Sequence, residues 1–172
     1  MCSSDLVWEV AQSRGADVYV NVQGDEPLIT PDHIRLLVGP FRERPETQVT
    51  TLKIRLAPEE VSNPNVNKVV CGVDGRALYF SKHPIPYDRD GIGVVRFKHP
   101  GFYAYRKAAL DAFHHLAPSP LELTERLEQL RFLENGIGIV VVETTEPTIG
   151  VDTEADLQAV AALMSGRAPS SR

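Results

Sequence analysis

Val18-Tyr19-Val20-Asn21-Val22-Gln23-Gly24-Asp25-Glu26-Pro27 decides the fold class of this chain. Its first half is almost wholly β-branched or aromatic, the composition of a buried strand over residues 18–22. Its second half is polar, holds two carboxylates and a glycine, and stops on proline, as a loop at the carboxyl end of a strand does. Thr30-Pro31 then supplies a helix N-cap and a first-turn proline. Ile34, Leu36 and Leu37 follow at helical spacing, and Gly39-Pro40 is expected to end that helix. Strand, loop and helix in this order begin an α/β pattern, and ligands of open α/β sheets bind beyond the carboxyl ends of the strands.

The same alternation continues outward. Residues 6–11 read as a helical turn before the strand. Residues 49–56 alternate apolar and polar side chains and predict a half-buried strand. Lys68-Val69-Val70-Cys71-Gly72-Val73 and Arg76-Ala77-Leu78-Tyr79-Phe80 flank Asp74-Gly75, which predicts a hairpin on a two-residue turn. Residues 82–93 hold Pro84, Pro86, Gly91 and Gly93 and read as loop. A strand over 97–105 and a helix over 107–116 follow. Residues 121–135 predict one long helix closed by Gly136, with Leu123, Leu127, Leu130 and Leu133 on its core stripe. Residues 137–142 form a fully apolar strand suited to a partly parallel sheet. Thr153 with Asp156 starts a last helix.

The chain has 172 residues, within the roughly 100–200 typical of one domain. An apolar share of 42% with 12 glycines excludes a disordered chain, a collagen or a coiled coil. The longest apolar run, residues 136–142, is far short of the roughly 20 residues of a membrane helix. A net charge of −5 has the wrong sign for a dedicated nucleic-acid or anionic-membrane binder. Cys2 and Cys71 make no disulfide framework or zinc spacing, so a reducing cytoplasm is the expected compartment. Met1-Cys2-Ser3-Ser4-Asp5 lacks the features of a signal peptide, and the pattern opens so abruptly that a fragment is expected. Residues 1–165 read as one incomplete domain and 166–172 as a disordered tail.

Several side chains can carry chemistry. Gln23, Asp25 and Glu26 sit on the loop where a site belongs, and a carboxylate beside Gly24 suits a hard divalent cation bridging to phosphates. Asp25 or Glu26 serves equally well as a cap for the following turn. Asp152, in Gly150-Val151-Asp152-Thr153, stands at a second strand-to-helix junction and is either a metal carboxylate or an N-cap. Lys82, His83 and Arg89 lie on a proline-stiffened loop, able to grip an anion or simply to be solvated. His99 is a hydrogen-bonding candidate or a structural histidine. Tyr103 and Tyr105 share one strand face, where core packing is the ordinary role. Glu122, Glu125, Glu128 and Gln129 form an acidic helix face, but Glu128-Gln129 borders the leucine stripe and can look into a pocket. No nucleophile elbow, zinc-protease motif, Walker loop or dinucleotide fingerprint occurs.

Taken in order, the chain resembles the 3-deoxy-manno-octulosonate (Kdo) cytidylyltransferase family. The carrying motifs are Asn21-Val22-Gln23-Gly24-Asp25-Glu26-Pro27, Asn63-Pro64-Asn65 with Lys68-Val69-Val70, and Ala77-Leu78-Tyr79-Phe80-Ser81. Pro84-Ile85-Pro86-Tyr87-Asp88-Arg89-Asp90, Gly101-Phe102-Tyr103-Ala104-Tyr105-Arg106 and Pro118-Ser119-Pro120-Leu121-Glu122 follow. Leu127-Glu128-Gln129-Leu130-Arg131 and Gly150-Val151-Asp152-Thr153 complete the set. The resemblance implies a Rossmann-like nucleotidyltransferase fold of the nucleotide-diphospho-sugar transferase type. This is a mixed sheet flanked by helices, with an inserted β-hairpin and with its amino-terminal strands missing.

It also implies Mg²⁺-dependent transfer of CMP from CTP to the anomeric hydroxyl of Kdo, releasing pyrophosphate, in lipopolysaccharide synthesis by a cytoplasmic homodimer. By position, Asp25 and Asp152 match the metal carboxylates, and Gln23, Lys82, Arg89, His99, Tyr103, Glu128 and Gln129 match substrate contacts. Two departures stand out: Lys82 replaces a frequent arginine, and residues 91–98 form a shorter connection. The Arg-rich, Gly-containing loop that grips CTP in the family is missing, so this chain alone is expected to be inactive. The alternatives are a cytidylyltransferase for another sugar acid, amino-Kdo or sialic acid, and a non-catalytic remnant that binds sugar acid or dimerises.

Overall fold

The computed structural model describes residues 3–151 and 153–166. The elements run α1 (Ser3–Ser13), β1 (Tyr19–Asn21), α2 (Pro31–Glu43), β2 (Val49–Arg55), a 3₁₀ turn (Pro58–Glu60), β3 (Lys68–Cys71) and β4 (Ala77–Ser81). They continue with β5 (Phe97–Lys98), β6 (Tyr103–Tyr105), α3 (Lys107–His115), α4 (Pro120–Glu125), α5 (Gln129–Glu134), β7 (Ile139–Glu143) and α6 (Glu154–Gly166). This is the mixed α/β sheet with an inserted hairpin that the alternation predicts. The strand order is β1-β6-β2-β5-β3-β4, with β7 paired to β2. Only β2–β7 is parallel among the named pairs.

β2 is the centre of the sheet. It pairs with β6 over Val49–Thr51, with β7 over Val49–Lys53 and with β5 at Ile54 and Arg55. The half-buried strand expected here is buried from Val49 through Leu52. Helices cover both of its faces, and its two threonines find internal acceptors. Thr50 Oγ1 donates to Leu37 O at 2.7 Å and Thr51 Oγ1 to Phe102 O at 2.6 Å. On one face Leu37 and Phe41 of α2 pack with Leu52, Phe102 and Ala104. On the other, Ala11 of α1, Leu110 and Phe113 of α3, and Leu130 and Phe132 of α5 pack with Val49, Tyr103, Tyr105 and Ile139.

Helix α2 opens as expected, with a Thr30–His33 capping box and Pro31 in the first turn. It does not stop at Gly39-Pro40 but runs to Glu43. Pro40 removes one hydrogen bond, yet the next turn is kept because Phe41 is buried and Arg44 N–H donates to Pro40 O at 2.9 Å. The β3–β4 hairpin forms on a longer turn than the two-residue one: Gly75 N–H donates to Gly72 O, and Gly75 sits at φ +80°. That left-handed position is where the Asp-Gly glycine is required.

Two corrections shape the site. The single strand expected over 97–105 is broken. β5 ends opposite Ile54 and β6 begins opposite Thr51, so residues 99–102 bulge across Leu52 and Lys53. Pro100, with no N–H to give the ladder, lies in that bulge. The long helix expected over 121–135 is two short ones. Arg126 takes φ 58° and ψ 42° between them, and Leu123, expected in the core, is 56% exposed.

The bend has a visible cause. Glu122 and Arg131 form a buried two-pronged ion pair. Nine residues apart on a straight helix they would stand about 13.5 Å apart along the axis. Folding α5 back on α4 closes that distance and turns Leu127 and Leu130 into the core. α6 begins as expected on a Thr153–Asp156 box, Thr153 N–H donating to Asp156 Oδ2 at 2.8 Å. Residues 167–172, most of the expected tail, lie outside the described residues. No described helix is long and apolar enough to cross a membrane.

Candidate active site: a polar cleft beyond strand β1

A cleft of about 430 Å³ opens where the loop after β1, the 99–102 bulge and the α4–α5 bend meet. It brings together Gln23, His99, Tyr103, Glu128 and Gln129 of the residues the sequence nominates. The bulge delivers His99 and Gly101; the bend delivers Glu128 and Gln129. Gln23 Nε2 donates to Gly101 O at 3.0 Å, tying the strand-end loop to the bulge.

Thr51 decides the state of His99. The single hydroxyl proton of Thr51 goes to Phe102 O, so at its 2.9 Å contact with His99 Nε2 the hydroxyl accepts. His99 is therefore protonated on Nε2 and offers a bare acceptor at Nδ1. Burial drives its pKa from 6.5 to about 3, so the ring is neutral at physiological pH. Phe80 and Tyr103 pack against it with ring centroids 4.9 and 5.2 Å away. Burial, with the Tyr105 and Glu128 charges adding to it, raises the Tyr103 phenol well above its ordinary value, so it keeps its proton. Tyr105 shares that face as expected, but lies deeper, its hydroxyl 3.2 Å from Ser4 Oγ. Glu128 accepts from the hydroxyls of Ser3 and Ser4 on α1.

Four buried polar atoms of this cleft have no partner among the described residues: His99 Nδ1, Asn67 Oδ1, Tyr103 OH and Gln129 Nε2. Folded proteins leave few such atoms, and each costs about 1–3 kcal/mol. Two acceptors, one donor and one phenol converging on one cavity match a ligand rich in hydroxyl groups.

The remaining candidates lie elsewhere. Asp25 is exposed beside the cleft, and its carboxylate has no partner among the described residues. Its carbonyl accepts from Val151 N–H at 2.8 Å, and Gly150 approaches Glu26, so the 150–151 segment lies on the same strand-end loop. Asp152 is outside the described residues. Lys82 and Arg89 are exposed and do not line the cleft. Lys82 borders a separate hollow beside Ser62, His83 and Thr124, with its N–H donating to Glu125 at 3.0 Å. Arg89 lines neither hollow. Asn67, Thr51 and Arg126 escaped the sequence reading. Asn67 carries no signal beyond its place before a strand, and the other two depend on the bulge and the bend.

Comparison with known proteins accords with this geometry. The cytidylyltransferase family model matches residues 3–144. The 3-deoxy-manno-octulosonate cytidylyltransferase of Acidobacterium capsulatum is 58% identical over 169 residues, covering 96% of this chain and 69% of that protein. Its counterpart from Koribacter versatilis is 56% identical over 165 residues, covering 95% and 63%. A structure of CMP:2-keto-3-deoxy-manno-octonic acid synthetase complexed with CTP superposes with a TM-score of 0.92 at 40% identity, covering 97% of this chain and 69% of that one. The chain thus spans about two thirds of the length of the relatives it matches. On sequence and fold together, it belongs to the 3-deoxy-manno-octulosonate cytidylyltransferase family of nucleotidyltransferases.

Proposed function

We propose that the cleft holds the sugar acid Kdo while its anomeric hydroxyl attacks the α-phosphorus of CTP, forming CMP-Kdo and expelling pyrophosphate. The observation that carries this is the group of four unpartnered polar atoms in one cavity. His99 Nδ1 and Asn67 Oδ1 accept from sugar hydroxyls, while Tyr103 and Gln129 donate to them. A ring with a pKa of about 3 is too weak a base to deprotonate a hydroxyl at neutral pH, so His99 orients the sugar. The work of the cleft is positioning for in-line attack.

Asp25, exposed and uncommitted among the described residues, fits a hard divalent cation, and Asp152 is its proposed second carboxylate. Among the described residues no three His, Cys, Asp or Glu side chains cluster as a metal site. Mg²⁺ is commonly held by one or two carboxylates and substrate phosphates, the donor set proposed here. Bound there, the ion supplies charge neutralisation of the triphosphate. The proposal extends to a homodimer acting in the cytoplasm in lipopolysaccharide synthesis. The described residues include no Arg-rich, Gly-containing loop for CTP, so the chain by itself is proposed to bind sugar acid without transferring CMP.

Calorimetric titration of Kdo into the chain tests this reading, with Gly101→Ala as the probe. A Cβ at residue 101 would stand 2.8 Å from Gln23 Nε2 in a backbone conformation open to any residue. The Gln23 amide must swing away while the fold stays intact. Saturable binding that weakens about tenfold in the variant is expected. No binding by the unaltered chain would refute the proposal.

A further inference from the structure

Lys68 is a fully buried lysine that the sugar reading leaves without a role. It opens β3, and its ammonium donates to Asn63 O at 2.6 Å and to Lys82 O at 2.9 Å. These carbonyls belong to two separate segments, the turn before β3 and the start of the loop after β4. Asn63 is the hub of its turn: its carbonyl also accepts from Val66 N–H at 3.2 Å, and its Oδ1 accepts from Asn65 N–H at 2.9 Å. Asn67 leaves that turn directly. Its carbonyl accepts from His99 N–H at 2.9 Å, and Asn67 Oδ1 and His99 Nδ1 are the two acceptors of the cleft without a partner among the described residues. Lys68 itself does not line the cleft.

An ammonium taken out of water is costly even when carbonyls receive it, and an apolar side chain of similar length serves a core equally well or better. Stability therefore does not call for a lysine here. What a long donor adds is a pair of bonds that ties the turn to a second segment. Lys82 is in turn fastened through its N–H to Glu125 of α4. We propose that Lys68 is a positioning residue, pinning the turn so that Asn67 presents its acceptor beside that of His99. This rests on the cleft being the sugar site.

The test is calorimetric titration of Kdo into the unaltered chain, Lys68→Met, Lys68→Gln, Asn67→Ala and the Lys68→Met, Asn67→Ala double variant, with urea unfolding of each. In Lys68→Met the carbonyl of Asn63 keeps its Val66 partner, so this variant should unfold at no lower urea concentration than the chain. It should nevertheless bind Kdo about tenfold more weakly, as should Asn67→Ala. Lys68→Gln, which keeps a shorter donor, should bind between the chain and Lys68→Met. The double variant should bind within about twofold of Asn67→Ala, because the place of an absent acceptor no longer matters. A merely structural lysine would instead give independent losses, about 100-fold together. That result overturns the role of Lys68 and leaves the sugar site standing. So does binding in Lys68→Met as tight as in the chain, or earlier unfolding of both Lys68→Met and Lys68→Gln. No binding by the unaltered chain overturns both.

Discussion

Replacing Arg131 by leucine is expected to cost about 3–5 kcal/mol of folding stability, because it strands a buried carboxylate. Glu122 and Arg131 are 9% and 7% exposed. Arg131 Nε donates to Glu122 Oε2 at 2.6 Å, and the guanidinium lies 4.1 Å from the Phe113 ring centroid and 3.3 Å from Leu116 O. Glu122 also accepts the Ser119 N–H at 3.0 Å, so its charge is part of the start of α4. Replacing both partners with leucine should recover most of the loss, since two apolar side chains need no counter-charge. Urea unfolding measures this as a midpoint shift at constant slope. A loss below about 1 kcal/mol in Arg131→Leu would mean that the pair is not what holds the bend. Because the bend also presents Arg126, Glu128 and Gln129 to the cleft, the single variant should bind Kdo more weakly as well.

Acid should destabilise the fold through His99 in a defined window. Its folded pKa of about 3 lies below the unfolded 6.5, so between these values the unfolded chain holds the extra proton. Stability is therefore full above pH 6.5, falls as the pH drops, and stops responding to this group near pH 3. By pH 4.5 the loss assigned to His99 is about 2–3 kcal/mol. Carboxylates titrate in the same range, so the diagnostic quantity is the difference between the chain and His99→Leu, whose stability should fall less steeply from pH 6.5 to 4.5. Parallel stability curves would show that His99 is not held neutral by burial.

How much of this was legible in the sequence depended on whether a feature is local. The Thr30-Pro31 helix start, the Asp-Gly hairpin, the apolar β7 run and the Thr153–Asp156 box are fixed by a few adjacent residues, and each is where the pattern places it, the hairpin on a longer turn than expected. What failed was set by distant partners. Phe41 keeps α2 going past Pro40 because it has a core to enter. Residues 99–102 bulge because β5 and β6 answer to different parts of β2. The 121–135 pattern suits one helix until Glu122 meets Arg131.

The site divides in the same way. Gln23, His99, Tyr103, Glu128 and Gln129 were identified through ordered motifs and do meet in one cleft. Asn67 and Arg126 carry no local signature, and Thr51 looked like an ordinary strand threonine until its hydroxyl was seen to set the tautomer of His99. Lys82 and Arg89, nominated through the same ordered motifs, do not line the cleft.

We propose that the cleft keeps polar atoms unpartnered so that a sugar acid can meet them. The most direct test is urea unfolding, with and without saturating Kdo, of the chain and of the Tyr103→Phe, Gln129→Leu double variant. Without ligand the double variant should be more stable, by about 1–3 kcal/mol for each unsatisfied group lost. Kdo should raise the midpoint of the unaltered chain and leave that of the variant unmoved. A double variant that is less stable than the chain and still stabilised by Kdo to the same extent would contradict it.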